Sequence, residues 1–345
     1  MKNRKYIHQM GTSLLSIVIA VIIGSIVIGL CGYSPVLAYT ALLKGAFGSP
    51  ALLMTTLEKS IPLIFCGIAA MISFKCGLFN IGIEGQLIMG AITYALIGLK
   101  LQWLPMPLHI LVCSILAMLA GALWSSIAAI LKITRNANEV VTTVMLNYIA
   151  IYFTEFLVAG PFMAEGMIAQ SDALDERKMI PFIPGSSKLT WACVIALVFL
   201  IVIALFYKYT VTGYNMIATG INFKAAEAGG IRMNSTCILS MALSGAIAGL
   251  GGAMLVSATY GRFVLDMSSG YGFDGMAIAV LGQNSAIGVL FSSILFGGLR
   301  TGSLYMAMFE GIPSELVSIL QGVIILVISA PMLVRYLQVW RKKYE

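Results

Sequence analysis

The chain has 345 residues, of which 59% are hydrophobic and only 10% charged, with a formal net charge of +7. Soluble domains carry about 25% charged residues, so this composition excludes a water-soluble globule and identifies an integral membrane protein. Lys and Arg flank apolar runs instead of gathering into a patch interleaved with aromatics, which excludes a nucleic-acid surface.

The chain opens on Lys2, Arg4 and Lys5 ahead of an apolar run from Leu14 to Leu30. That order resembles a signal peptide, but a transmembrane helix needs about 20 residues and this run is long enough to span, so it is read as a retained first helix. Apolar stretches then predict about ten spans, near residues 11–30, 57–74, 79–98, 106–131, 140–159, 189–207, 236–257, 271–283, 286–305 and 315–334. The expected fold is an all-α, polytopic membrane protein forming a single transmembrane domain over residues 1–345.

At the start of the third span stands Phe79-Asn80-Ile81-Gly82-Ile83-Glu84-Gly85-Gln86. Polar groups inside a span are costly and usually face a cavity or another helix. Asn80 and Glu84 are four apart on one helical face, and Gly82 and Gly85 permit close approach. Asn80, Glu84 and Gln86 are therefore candidates to line or shape a substrate path; the alternative is that Glu84 holds the fold by hydrogen-bonding a neighbouring helix. In the fifth span, Asn138 suits an N-cap and Glu139 the positive end of the helix dipole. Thr143 and Asn147, four apart and deeper, are further path candidates.

Residues 160–188 form a long outside segment with Pro161, Pro181, Pro184 and a charged cluster from Asp172 to Lys178. It predicts an external cap or short amphipathic helix, a surface able to receive cargo from another protein; a solvated loop without a partner fits the same residues. Cys31–Thr56 is the other long outside segment.

Residues 208–236 form the longest inside loop. Within it Asn222 caps a short helix, Phe223 to Ala228, that Gly229 or Gly230 stops. Isolated helices below about 12–15 residues are marginal in water, so either the protein itself or a partner must hold this one. The glycine-rich stretch Gly245 to Gly252 lies inside an apolar span, where small residues let helix backbones approach.

Tyr271 to Gly282 is too short to cross about 30 Å of hydrocarbon at about 1.5 Å per residue, and predicts a half-helix or re-entrant segment surrounded by protein or water. It carries Asp274, a further path candidate, and the ninth span carries Arg300; the two could neutralise one another, or each could reach a helix end or carbonyl.

No catalytic constellation is present: the two histidines, His8 and His109, are far apart, the six cysteines have no CxxC spacing, and there is no phosphate-cradling loop. The chain is expected to bind no cofactor or metal. With the N-terminus placed inside, Lys75, Lys132, Arg135, Lys208, Lys224, Arg232 and the basic C-terminus all fall on the same side, while Glu58, Glu155, Glu165, Asp172, Asp266 and Glu310 fall opposite. Both termini are thus expected in the cytoplasm.

Three motifs, FNIGIEGQLIMGA (79–91), NEVVTTVMLNYIA (138–150) and ATGINFKAAEAGGI (218–231), together resemble the permease subunits of ABC importers of the branched-chain amino acid and simple-sugar family. The first two are similar to its nucleoside branch, served by basic-membrane-protein lipoproteins. The resemblance implies about ten helices arranged as an inverted repeat, in a bacterial cell membrane, and a coupling helix within Gly220–Ile231. On that pattern Asn222, Ala225, Ala226, Glu227, Gly229 and Gly230 would dock on the ATPase. The implied partners are a second permease chain of different sequence, ABC ATPase subunits carrying ATP and Mg, and an extracytoplasmic substrate-binding lipoprotein. A sugar or branched-chain amino acid permease, or an ion-coupled secondary transporter, is the competing expectation.

Overall fold

The structure, a computed structural model, describes residues 18–19, 21–166, 168–186, 188–319 and 321–323. The basic N-terminal residues, His8, the basic C-terminus and most of the last expected span, 315–334, lie outside these residues. Among the described residues every regular element is helical, and the only strand-like pairings are two isolated bridges, Gln170 with Val264 and Phe182 with Thr190.

The helices are α1 (Val21–Leu30), α2 (Pro35–Phe47), α3 (Pro50–Lys75), α4 (Ile83–Lys100), α5 (Met106–Arg135), α6 (Glu139–Ala159), α7 (Ala192–Tyr209), α8 (Val211–Ile221), α9 (Phe223–Ala228), α10 (Met233–Met254), α11 (Tyr271–Leu281) and α12 (Ala286–Glu310). Six described helices are long and apolar enough to cross a membrane, seven if α1 and α2, bent by 119°, form one span. The sequence pattern suggested about ten spans. Part of the difference is α4, whose first turn carries Glu84 and Gln86 and whose last residue is Lys100. Another part is α11, only 11 residues long.

Cys31–Thr56 is largely helical. α1 stops at Gly32, whose φ of 84° lets the Tyr33 N–H reach back to the Ile28 carbonyl. Pro35 then opens α2 and Pro50 opens α3, each at a position where a missing N–H costs nothing.

The chain divides into two compact units, residues 1–59 with 294–345 and residues 60–293. In the first, α2 packs on the later part of α12 so closely that a Cβ on Gly302 would overlap the Leu42 carbonyl oxygen. Its apolar core includes Ala38, Ala41, Leu42, Leu299 and Met306.

The second unit is built around α10. In the most apolar window from α10 through the π-helical turn Leu255–Tyr260, 78% of residues are buried, against 22% in α6. The glycine stretch makes this possible: added Cβ atoms on Gly245 and Gly249 would overlap the backbone of α5 at Gly121 and Ala117, and one on Gly252 would overlap α4 at Leu87. Backbones brought this close exchange dispersion contacts along their length. Serine hydroxyls also donate across the faces of α10, Ser125 of α5 to the Met241 carbonyl at 2.6 Å and Ser244 to the Ala69 carbonyl of α3 at 2.7 Å.

The 160–188 segment is not a free loop. Ser171 N–H donates to the Phe263 carbonyl, Leu174 N–H to that of Gly261 and Ile180 N–H to that of Ser257, so it is stitched to the chain that follows α10. Within it Asp175 caps a single 3-10 turn, Glu176–Lys178.

Candidate functional site

The polar centre of the second unit is the entry to α4. α3 ends at Gly77, whose φ is 76°; the Leu78 N–H donates back to the Ser73 carbonyl and the Gly77 N–H to that of Phe74. This is the Schellman arrangement, a firm stop. Five residues, 78–82, then run without regular structure before α4 begins. Inside a membrane protein such a stretch must find protein partners for its backbone groups.

It finds them in α6 and in its own side chains. Thr143 Oγ accepts from the Ile81 N–H at 3.2 Å. Asn147 works in both directions, donating to the Ile81 carbonyl at 2.8 Å and accepting from the Gly85 N–H at 2.8 Å. Asn80 accepts from the Gly82 N–H at 3.0 Å, exchanges two amide hydrogen bonds with Gln86 at 2.9 and 3.0 Å, and donates to Ser244 of α10 at 2.9 Å. Asn80 and Thr143 have no exposed surface, and Gln86, Asn147 and Glu84 are at most 4% exposed. α6 is aimed by its own cap, in which Asn138 accepts from the Val140 N–H at 2.9 Å, and by the Lys132–Glu139 ion pair at 2.6 Å.

Glu84 joins this entry to α11. Its carboxylate accepts from the Gly272 N–H at 2.6 Å, from the Gly270 N–H at 3.2 Å and from the Ser268 hydroxyl. The first N–H groups of a helix are unpaired and lie at the positive end of its dipole, so a buried carboxylate is stabilised there. The approach needs glycine: a Cβ on Gly272 would overlap the Glu84 backbone. Two helix N-termini, those of α4 and α11, therefore meet at one buried carboxylate. Asp274 stands in the first turn of α11 and is half-buried. Arg300 lies in α12, in the other unit.

The expected short helix after residue 221 is present as α9, and Asn222 caps it by accepting from the Ala225 N–H at 3.1 Å. Asn222 also ends α8, its N–H donating to the Ala218 carbonyl, so α8 and α9 form one elbow. Gly230, with φ 85°, closes α9 while the Ile231 N–H donates to the Ala226 carbonyl. Phe223, Lys224, Ala225 and Glu227 are exposed, whereas Ala226 is only 6% exposed and packs against its own chain.

Asn80, Gln86, Thr143 and Asn147 are thus gathered around the entry of α4, and Glu84 in its first turn ties that entry to α11, which carries Asp274. The elbow residues form a second group. Sequence reasoning did not single out Ser244, Ser268 or Gly272. A run of small residues, Ser268-Ser269-Gly270, ahead of a short helix is the signal that marks Ser268, and Gly272 follows within the first turn of that helix. Among the described residues no group of three or more His, Cys, Asp or Glu is placed to hold a metal ion.

The pattern of the family described as branched-chain amino acid transport system / permease component matches residues 52–329. The chain is 33% identical over 344 residues to the guanosine ABC transporter permease protein NupP of Bacillus subtilis, with 98% of each chain covered. It is 34% identical to the nucleoside ABC transporter permease protein NupB of Lactococcus lactis, over 93% of this chain and 91% of that one. The glucose ABC transporter permease protein TsgB13 of Haloferax volcanii is 31% identical, over 92% of this chain and 86% of that one. The same two bacteria supply a second, different match each: NupQ at 30% identity, over 75% of this chain and 84% of that one, and NupC at 29%, over 69% and 77%. With the family pattern matching residues 52–329 and relatives above 30% identity over nearly the full length, this membrane-spanning chain belongs to the family of branched-chain amino acid transport system permease components.

Proposed function

We propose that the chain is the transmembrane permease subunit of an ATP-driven ABC importer for nucleosides, either purine nucleosides such as guanosine or a broad range of them. The observation that carries this is the 33–34% identity over nearly the full length to guanosine and nucleoside permeases. The sugar reading keeps one specific support, the 31% identity to a glucose permease. Uptake of labelled guanosine by cells with and without the chain tests the cargo: loss of guanosine uptake on deletion is expected, and loss of glucose uptake alone would favour the sugar reading.

On this reading the chain hydrolyses nothing itself. ATP and Mg belong to ATPase subunits that dock on α9 through its exposed residues Lys224, Ala225 and Glu227, while Asn222, Ala226, Gly229 and Gly230 shape and seat the helix. A second permease chain of different sequence completes the pathway, which the NupP–NupQ and NupB–NupC matches support. A lipoprotein delivers cargo to the 160–188 segment. The finer architecture also belongs to this proposal: about ten spans in an inverted repeat, both termini in the cytoplasm and a single permease domain in a bacterial cell membrane. Supporting the repeat, Gly82-Ile83-Glu84-Gly85 and Gly272-Phe273-Asp274-Gly275 share the pattern Gly-x-acid-Gly, and each stands at the opening of a helix.

Alternating access then requires α4 and α11 to change their relation to the rest of the bundle. Asn80, Glu84, Gln86, Thr143 and Asn147 shape the path by holding these helix ends, with Asp274 beside them. An ion-coupled transporter would work without ATPases, so failure of the chain to co-purify with an ATP-binding subunit would overturn the mechanism.

A further inference from the structure

The α8–α9 elbow and the polar entry of α4 are joined by a contact made of backbone alone. Gly220, the penultimate residue of α8, lies directly on the end of α3. A Cβ added there would overlap the Lys75 carbonyl oxygen and stand 2.9 Å from the Gly77 nitrogen. From the other side, a Cβ on Gly77 would lie 3.2 Å from the Gly220 Cα. Three residues beyond Gly77 is Asn80, whose side chain organises the entry of α4 and reaches Ser244 of α10.

Both sides of this contact are stiff. Gly77 is locked by the two backbone hydrogen bonds that end α3. The elbow is locked by Thr210, which caps α8 by accepting from the Gly213 N–H at 3.0 Å, and by Asn222 at the bend. α7 holds the same end of α3: the Tyr207 hydroxyl donates to the Ile72 carbonyl at 3.4 Å, and Lys75 Nζ sits 4.1 Å over the Tyr207 ring. Other contacts of the elbow are made by side chains, the fully buried Met216 against Tyr207 and Thr219 against Met233, and one side of it is open, with a cavity of about 450 Å3 bounded by Asn215 of α8, the Gly229–Arg232 turn and Thr236 of α10. Side chains absorb small displacements by changing rotamer, and cavities absorb them by filling; close-packed backbone does neither.

We propose that the Gly77–Gly220 contact is where displacement of the α8–α9 elbow is passed to the entry of α4, making both glycines positioning residues for transport. The proposal rests on reading the chain as the permease of an ATP-driven importer. An inward push on α9 moves Gly220 against Gly77, and the α3 end carries residues 78–82 with it. Asn80 and Glu84 then shift relative to α10 and α11.

The test uses the complete transporter, the chain with its partner permease and ATPases, in proteoliposomes. Guanosine taken up per ATP hydrolysed is measured for wild type and Gly220→Ala, together with amide exchange with and without ATP. Wild type is expected to show ATP-dependent changes in exchange both at residues 222–228 and at residues 78–86. Gly220→Ala is expected to co-purify with the ATPases and hydrolyse ATP while uptake per ATP falls about fivefold or more, a readout that mere structural damage to assembly would not isolate. An unchanged ratio in Gly220→Ala overturns the proposal. So does a wild-type exchange response at 222–228 with none at 78–86, which decides the matter even where the variant fails to assemble. Wild-type protein that associates with no ATPase would instead overturn the functional reading on which the proposal stands.

Discussion

Two breaks between helices in this chain are each organised by an asparagine, and they are held in opposite ways. At the entry of α4, Asn80 and its neighbours rely on partners far away in sequence: Thr143 and Asn147 from α6 and Ser244 from α10. At the start of α9, Asn222 is exposed and needs only its own next turn, the Ala225 N–H and Ala226 N–H. The difference follows from the surroundings. A break deep among apolar helices has no water to satisfy its backbone, so other helices must supply donors and acceptors. A break on a surface carrying Lys224 and Glu227 can be finished by a local cap and water.

That contrast orders the expected effects of substitution. The largest belongs to Asn147→Ala, which strips partners from both the Gly85 N–H and the Ile81 carbonyl; each unpartnered buried group costs about 1–3 kcal/mol. A marked fall in the melting temperature of detergent-purified protein is expected, and a melting temperature equal to wild type would break the comparison. Glu84→Ala comes next, since it leaves the first N–H groups of α11 without their charged acceptor, a loss of about 1.5–3 kcal/mol. Glu84→Gln keeps an acceptor and removes the charge, so its melting point should fall between the two; equality of Gln with Ala would mean that the charge alone matters.

The exposed break should behave otherwise. Asn222→Ala removes a cap worth about 1 kcal/mol, felt locally: amide exchange at residues 223–228 should speed up while the melting temperature stays near wild type. A global loss of stability would show that α9 is more deeply integrated than its exposure suggests. Smallest of all is Lys132→Met. The Lys132–Glu139 pair is partly exposed, at 30% and 21%, and such pairs contribute at most about 1 kcal/mol. A salt titration of wild-type stability, flat against this variant's, would check it.

Much of this was legible in the chain itself. The cap at Asn138, the capped turn after Asn222, the shortness of α11 and the close packing of Gly245–Gly252 were all expected from neighbouring residues and all stand in the structure. What escaped was of another kind. The helical character of Cys31–Thr56 is hidden in the sequence because Pro35 and Pro50, residues that end a helix from inside it, here open one. That Ala226 is buried while Ala225 and Glu227 beside it are exposed was likewise not legible, since the face of a six-residue helix is chosen by what packs behind it.

The sequence by itself determined that this is a membrane protein, which stretches are apolar, and where the capped helices at Asn138 and Asn222 begin. These depend on composition, length and interactions within about one helical turn. Only the tertiary structure decided what each buried polar group holds. Glu84 meets the amides of Gly270 and Gly272, 186 and 188 residues away, and Asn80 meets Ser244 across 164 residues. No periodicity links positions so far apart; they are brought together because an ionised or amide group inside the bundle must find partners, and the packing of α10 and α11 puts those partners within reach.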